Sequence, residues 1–243
     1  MKAAHVKEAA EEIDSRDEVR ARIIAAAADL LADGGREALT TRAVAEAAGV
    51  QAPTMYRLFG DKSGLLDAVA EHGFARYVAE KKVRKIGRDP VEDLRSGWDL
   101  HIGFGLANPA VYGIIYGDPR PGVTSKAAAA GYRVLEELIR RIAAAGQLRV
   151  NEERAAELVH AAGCGTVLSL LAMPEDRRNL GLSKSAREAV IQAITTGQKP
   201  TKSLSPASAA IALRALLPNT KTLTSGERHL FLELLDRLAR ESE

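Results

Sequence analysis

The stretch LTTRAVAEAAGVQAPTMYRLFGDK, residues 39 to 62, leaves few ways for this chain to begin folding. Thr40 and Thr41 can cap a helix whose Ala43, Val44, Ala47 and Ala48 fall at helical spacing, and Gly49 breaks it. A second short helix opens near Ala52. Pro53 sits in its first turn, where a missing N–H costs nothing, and Met55, Leu58 and Phe59 turn toward the first helix while Thr54, Tyr56 and Arg57 point elsewhere. Two helices joined by a short turn containing Gly form a helix-turn-helix, whose second helix fits a DNA major groove. A purely structural helical hairpin satisfies the same spacing.

The flanking sequence supplies a third helix and a rod. From Asp17, Ile23, Ala27, Leu30 and Leu31 form an apolar stripe that stops at Gly34-Gly35, where glycine can take a positive φ. After Gly60, a helix capped by Asp61 or Ser63 begins near Lys62, carries Leu65, Leu66, Val69, Gly73, Phe74 and Val78, and runs to about Lys85. Residues 1–16 are a mildly acidic leader, able either to extend the first helix or to stay disordered.

Leu39-Thr40-Thr41-Arg42, Ala45, Gly49-Val50, Pro53-Thr54, Tyr56, Lys62 and Leu65-Leu66 together resemble the DNA-reading head of the tetracycline-repressor (TetR) family. The resemblance covers roughly residues 18 to 80. It implies an all-α protein with an N-terminal three-helix helix-turn-helix domain at 17–66, followed by a helical effector-binding and dimerisation domain at 67–243. It also implies that the rod helix conveys ligand occupancy to the head. Arg42 is placed as in the family's type member to reach a groove edge, where a guanidinium can bond guanine twice; the alternative is a solvated surface arginine. Gln51 and Thr54 can contact bases or phosphates. Thr40, Thr41, Tyr56 and Lys62 resemble phosphate anchors, and Arg57 suits either purpose. Ala52, beside Pro53, stands where the tetracycline repressor itself has an amide side chain, so the operator sequence does not transfer, although Ala52 can still touch a thymine methyl.

Composition bounds the rest. A chain of 243 residues, 46% hydrophobic, can bury one large core or two modest ones, and two domains are expected. One cysteine, Cys164, excludes an internal disulfide and a cysteine-based zinc site. No secretory signal and no membrane-length apolar run is present, which predicts a cytoplasmic protein with no membrane partner. A net charge of +2 argues against coating nucleic acid over the whole surface but leaves room for a small basic patch on each of two reading heads.

Enzymatic function finds no support. His5, His72, His101, His160 and His229 are dispersed, and no HExxH, GxSxG, P-loop or GxGxxG pattern occurs. Cys164, within Ala162-Gly163-Cys164-Gly165, reads as close helix packing rather than a nucleophile. No cofactor or metal is expected.

Beyond Asp89-Pro90 the pattern predicts helices at 91–107, 109–115, 125–145, 151–173, 183–196, 206–217 and 225–241, with breaks at 116–122 and 197–203. Trp98, His101, Phe104, Tyr112, Tyr116, Tyr132, His160, Cys164 and Met173 can line a pocket for a largely apolar small-molecule effector oriented by one or two hydrogen bonds; ordinary core packing is the competing reading. Leu230, Phe231, Leu234, Leu235 and Leu238 form a stripe too wide for a lone surface helix. Leu158, Ala161, Ala162, Gly165, Leu168 and Ala172 offer a face for close helix crossing. In the resembled family a late pair of helices from each subunit builds a four-helix interface, which implies a homodimer on palindromic double-stranded operator DNA. Both stripes can instead pack within one subunit. The functional expectation is a repressor released from its operator by a small effector. The alternatives are an activator, an effector-independent regulator, or a helical ligand-binding module with no DNA role.

Overall fold

The structure is a computed structural model and describes residues 2–83, 87–117, 124–197, 205–219 and 222–240. Among the described residues eleven α-helices follow in order: α1 Lys2–Ala38, α2 Thr41–Ala47, α3 Ala52–Phe59, α4 Lys62–Val83, α5 Pro90–Ala107, α6 Pro109–Tyr116, α7 Lys126–Ala144, α8 Glu152–Leu171, α9 Gly181–Ile194, α10 Pro206–Leu216 and α11 Ser225–Arg240. Among the described residues the only extended pairing is an isolated bridge between Leu148 and Thr195, so the all-helical expectation holds. The leader lies in α1, which continues to Ala38 through a break at Gly35, where φ is 67° and ψ is −166°. The sequence-predicted breaks fall largely outside the described residues, at 118–122 and 198–203.

Two compact units divide the chain, one of Met1–Tyr77 with Asn108–Ala128, the other of Val78–Ala107 with Ala129–Glu243. In the first, Ile23, Ala27, Leu31, Leu39, Val44, Met55, Leu65 and Val69 form a core contributed by α1 to α4. Helix α6 joins it through Ala110, Val111 and Ile114, although α5 separates α6 from the head in sequence. Gly73 permits that approach, since a Cβ there would stand 3.2 Å from both methyls of Val111.

The α2–α3 turn depends on Gly49, whose φ of 62° is in the left-handed region. Val50 N–H returns to the Ala45 carbonyl at 2.9 Å, which closes the corner. No atom crowds the position, so Gly49→Ala tests backbone strain alone. The expected loss is about 1 to 2 kcal/mol, read from urea unfolding.

In the second unit α5 packs on α8 and α9. Gly97 brings α5 close to α7, with a Cβ there 3.2 Å from Leu138 Cδ1. Arg141 donates to Asp93 at 2.7 Å and to the Gly87 carbonyl at 3.1 Å, while Asp93 accepts from Gly87 N–H, which ties the start of α5 to α7. Arg95 and Arg187 both bond Glu188, and Arg95 foremost holds that carboxyl below the usual range. Helices α10 and α11 form a hairpin around Ala210, Leu217 and Leu235, with Phe231 and Leu232 packed alongside, and Arg214 meets Asp236 at 3.1 Å. A reciprocal cap starts α11: Thr224 Oγ1 accepts from Glu227 N–H, and Glu227 accepts from Thr224 N–H at 2.8 Å.

Candidate functional site

The helix-turn-helix separates inward from outward side chains as amphipathicity requires. Thr40 caps α2, its Oγ1 accepting from Ala43 N–H at 3.1 Å. Val44 and Ala45 are buried beneath it, whereas Arg42, in the first turn of the helix, is exposed and Thr41 half-buried. In α3 Met55 is buried and Leu58 and Phe59 pack on the core, while Gln51, Ala52, Pro53, Tyr56 and Arg57 are exposed and Thr54 is half-buried. Tyr56 stands 56% exposed, unusual for an aromatic ring with no apolar reason to be outside. Gln51 occupies the N-cap position of α3 without a side-chain capping bond, so its amide is not spent on the helix end. Lys62 is exposed at the first residue of α4. The outward residues of α2, α3 and the start of α4 thus offer two cations near the turn, a third at α4, an amide and a phenol, the chemistry that positions on phosphates and reads base edges.

Two arginines that sequence reasoning passed over hold this head together. Arg22 Nε donates to the Ala48 carbonyl at 3.0 Å, clamping α1 to the end of α2. The Arg20 guanidinium lies 5.4 Å from the centre of the Phe59 ring. Their helical spacing resembles that of any solvated arginine, so no sequence signal singled them out.

The residues expected to line an effector pocket separate into two groups. Tyr112 and Tyr116 belong to the first unit, their rings 4.7 Å apart, and Tyr112 is fully buried. Trp98, His101, Phe104, Tyr132, His160 and Cys164 belong to the second. Trp98 is 4% exposed, and its indole N–H donates to Ser183 Oγ at 3.0 Å. Gly163 on α8 faces both His101 and Trp98: a Cβ there would be 3.5 Å from the imidazole and 3.8 Å from the indole. Phe104 is buried and Met173 half-buried. Tyr132 stands edge-on to His160 at 5.3 Å, and Cys164 Sγ lies 3.8 Å from the His160 ring nitrogens. Burial pushes His160 below the ordinary imidazole range, which favours its neutral form.

A cleft of about 500 Å³ opens beside Tyr132, lined also by Glu136, Glu152, Glu157, Arg140 and Arg214. Burial pushes the Glu152 carboxyl up against the pull of Arg214 and Arg140. Burial first, then Glu136, Glu157 and Glu153, push the Tyr132 phenol up. Among the described residues no group of His, Cys, Asp and Glu is arranged to hold a metal, and no helix is long and apolar enough to cross a membrane.

Among the described residues the chain is helical, and its N-terminal unit presents a helix-turn-helix with an outward polar row, the arrangement whose second helix fits a DNA major groove. Residues 23–69 match the family model of bacterial regulatory proteins, tetR family. The class C tetracycline repressor of Escherichia coli is 52% identical over 52 residues, 21% of this chain and 24% of the repressor, so the chain spans about a quarter of that relative's length. Among solved structures, a TetR variant from Acinetobacter baumannii AYE in complex with minocycline is 26% identical with a TM-score of 0.54, covering 70% of this chain and 90% of its own. SmeT, the repressor of the Stenotrophomonas maltophilia multidrug efflux pump, shares the fold with a TM-score of 0.55 at 21% identity, over 77% of this chain and 97% of its own. Over its head the chain is thus similar to tetR-family regulatory proteins, and the curated relatives it matches there are tetracycline repressors.

Proposed function

We propose that the protein is a sequence-specific DNA-binding transcriptional regulator, a homodimeric repressor released from a palindromic operator by a small, largely apolar effector. Residues 17–66 are the DNA-binding portion in this reading, and 67–243 carry effector binding and dimerisation. The observation that carries it is the outward row of Arg42, Gln51, Tyr56, Arg57 and Lys62 on a helix-turn-helix whose inward residues are consumed by the core. Arg42 reads a base, Gln51, Ala52 and Thr54 sit at the recognition-helix entrance, and Thr40, Thr41, Tyr56 and Lys62 anchor phosphates. The effector reading draws on the minocycline complex of the Acinetobacter relative and on the Trp98, His101 and Phe104 group of α5. Release would be allosteric, with effector and operator affinities coupled by one free energy.

Mobility shifts with promoter fragments against random DNA at stated salt test the DNA claim. Arg42→Ala is expected to relax discrimination at one position per half-site by about 1 to 3 kcal/mol, whereas Lys62→Ala should weaken all sequences alike and flatten the salt dependence. Unchanged base preferences in Arg42→Ala would remove its reading role. Equal binding of every fragment by the unaltered protein would remove the regulator claim.

A further inference from the structure

At the end of α2 one backbone carbonyl is satisfied by a side chain. Val44, Ala45 and Glu46 accept from the backbone N–H groups of Ala48, Val50 and Gly49. The carbonyl of Ala48, the buried C-cap residue, accepts instead from Arg22 Nε at 3.0 Å, across 26 positions of sequence. A guanidinium at a helix C-terminus also answers the partial negative charge gathered there. At the far end of the helix pair, the Arg20 guanidinium lies over the ring of Phe59, the last residue of α3. Arg20 and Arg22 stand about 60° and 100° around α1 on either side of Ile23, which is fully buried in the head core. One helix thus holds the end of α2 with one arginine and the end of α3 with the other, flanking the core that all three share.

Both arginines act on the outward row without belonging to it. Arg42 stands on α2, while Gln51, Tyr56 and Arg57 stand at the N-cap and along α3, so the spacing between the two sets follows from the angle at the Gly49 corner. Glycine, lacking a Cβ, does little to stiffen that angle by itself. Reading base edges requires donors held to within fractions of an ångström, whereas phosphate contacts position the protein without carrying sequence information. We propose that Arg22, seconded by Arg20, is a specificity-determining positioning residue: its bond to the Ala48 carbonyl fixes the α2–α3 corner and thereby sets how sharply the head discriminates among DNA sequences. This rests on the DNA-reading function proposed above and adds to it a residue that itself touches no DNA.

Mobility shifts of the full chain test it, using a fragment selected by the unaltered protein from a random-sequence DNA pool and a scrambled fragment of the same length. Arg22→Met keeps the side-chain stem and removes the donor. Affinity for the selected fragment should fall about tenfold, as the loss of one charge-assisted hydrogen bond implies, while affinity for the scrambled fragment stays within about twofold. The slope of log affinity against log salt should not change, because no phosphate contact is lost. Arg22 bonds through Nε alone rather than through a two-pronged fork, so Arg22→Lys should recover most of the selectivity. In the free protein, amide exchange at Val50 should quicken in Arg22→Met while the core amides of Ile23 and Val69 stay as slow as before. Arg20→Leu should lower selectivity in the same direction, by about threefold. A parallel fall on both fragments, with a salt slope smaller by about one, would make Arg22 a phosphate contact and overturn the proposal. Undiminished selectivity in Arg22→Met would reduce the bond to a structural one and overturn it too, as would a lysine variant that recovers nothing. Either result leaves the DNA-reading function standing. An unaltered protein that enriches no sequence from the pool would remove that function and the proposal together.

Discussion

Trp98→Ala is expected to lower the free energy of unfolding by about 3 to 5 kcal/mol, because it empties the volume of a side chain that is 4% exposed and removes the donor to a buried hydroxyl. In a chain of this size each kilocalorie corresponds to roughly 2 to 4 °C, so the melting temperature should fall by about ten degrees. Trp98→Phe keeps most of the apolar body and leaves Ser183 Oγ without the indole, at a cost of about 1 to 3 kcal/mol. Urea unfolding of the three proteins decides between two roles for the α5 aromatics. A packed core produces the full loss. A residue bordering an emptiable cavity produces a small one, and an apolar compound that stabilises the alanine variant more than the parent would show the vacated space being filled. A loss under 1 kcal/mol with no such rescue would contradict the packing described above.

The second large effect separates adjacent residues. Met55 is 3% exposed inside the head core and Tyr56 is 56% exposed beside it. Met55→Ala should destabilise the head by about 2 to 5 kcal/mol. Tyr56→Ala should leave stability within about 0.5 kcal/mol of the parent and weaken DNA binding as the loss of a phosphate contact does. Thermal unfolding followed by DNA titration on the same samples gives both quantities. If Tyr56→Ala destabilises as much as Met55→Ala, the ring is structural and its anchoring role fails.

Much of this architecture was legible because local chemistry dictated it. The start of α3 at Ala52, the turn at Gly49 and helices from Pro90 to Ala107 and Pro206 to Leu216 follow from prolines, glycines and a 3.6-residue period, and they agree with the sequence-predicted elements within a residue or two. The inward turn of Met55 follows from the same periodicity. What could not be read is long-range. Nothing near Trp98 announces Ser183 as its partner, and nothing near Asp93 announces Arg141. Tyr112 and Tyr116 lie close to Phe104 in sequence, yet they belong with the head because Val111 and Ile114 find their apolar partners there. Window-based clustering of aromatics measures distance along the chain, and packing does not respect it. The cap of α11 was legible in principle, since Thr224 followed by Glu227 is a capping box, and the sequence-predicted start of that helix at Ser225 is the observed one.

The participation of α6 in the head core bears on how the protein is made. Synthesis delivers α1 to α4 first, then the whole of α5, and only afterwards the Ala110, Val111 and Ile114 face that closes over the head. A nascent chain that has emerged only as far as Lys62 therefore carries the whole helix-turn-helix and its outward row on an incomplete core, and the last head contacts join residues dozens of positions apart. Long-separation contacts are the slow ones to form. Helices α2 and α3 accordingly gain their last core support only after α5 has been made, and a fragment ending at residue 66 would lose the support of α6 along with the rest of the chain.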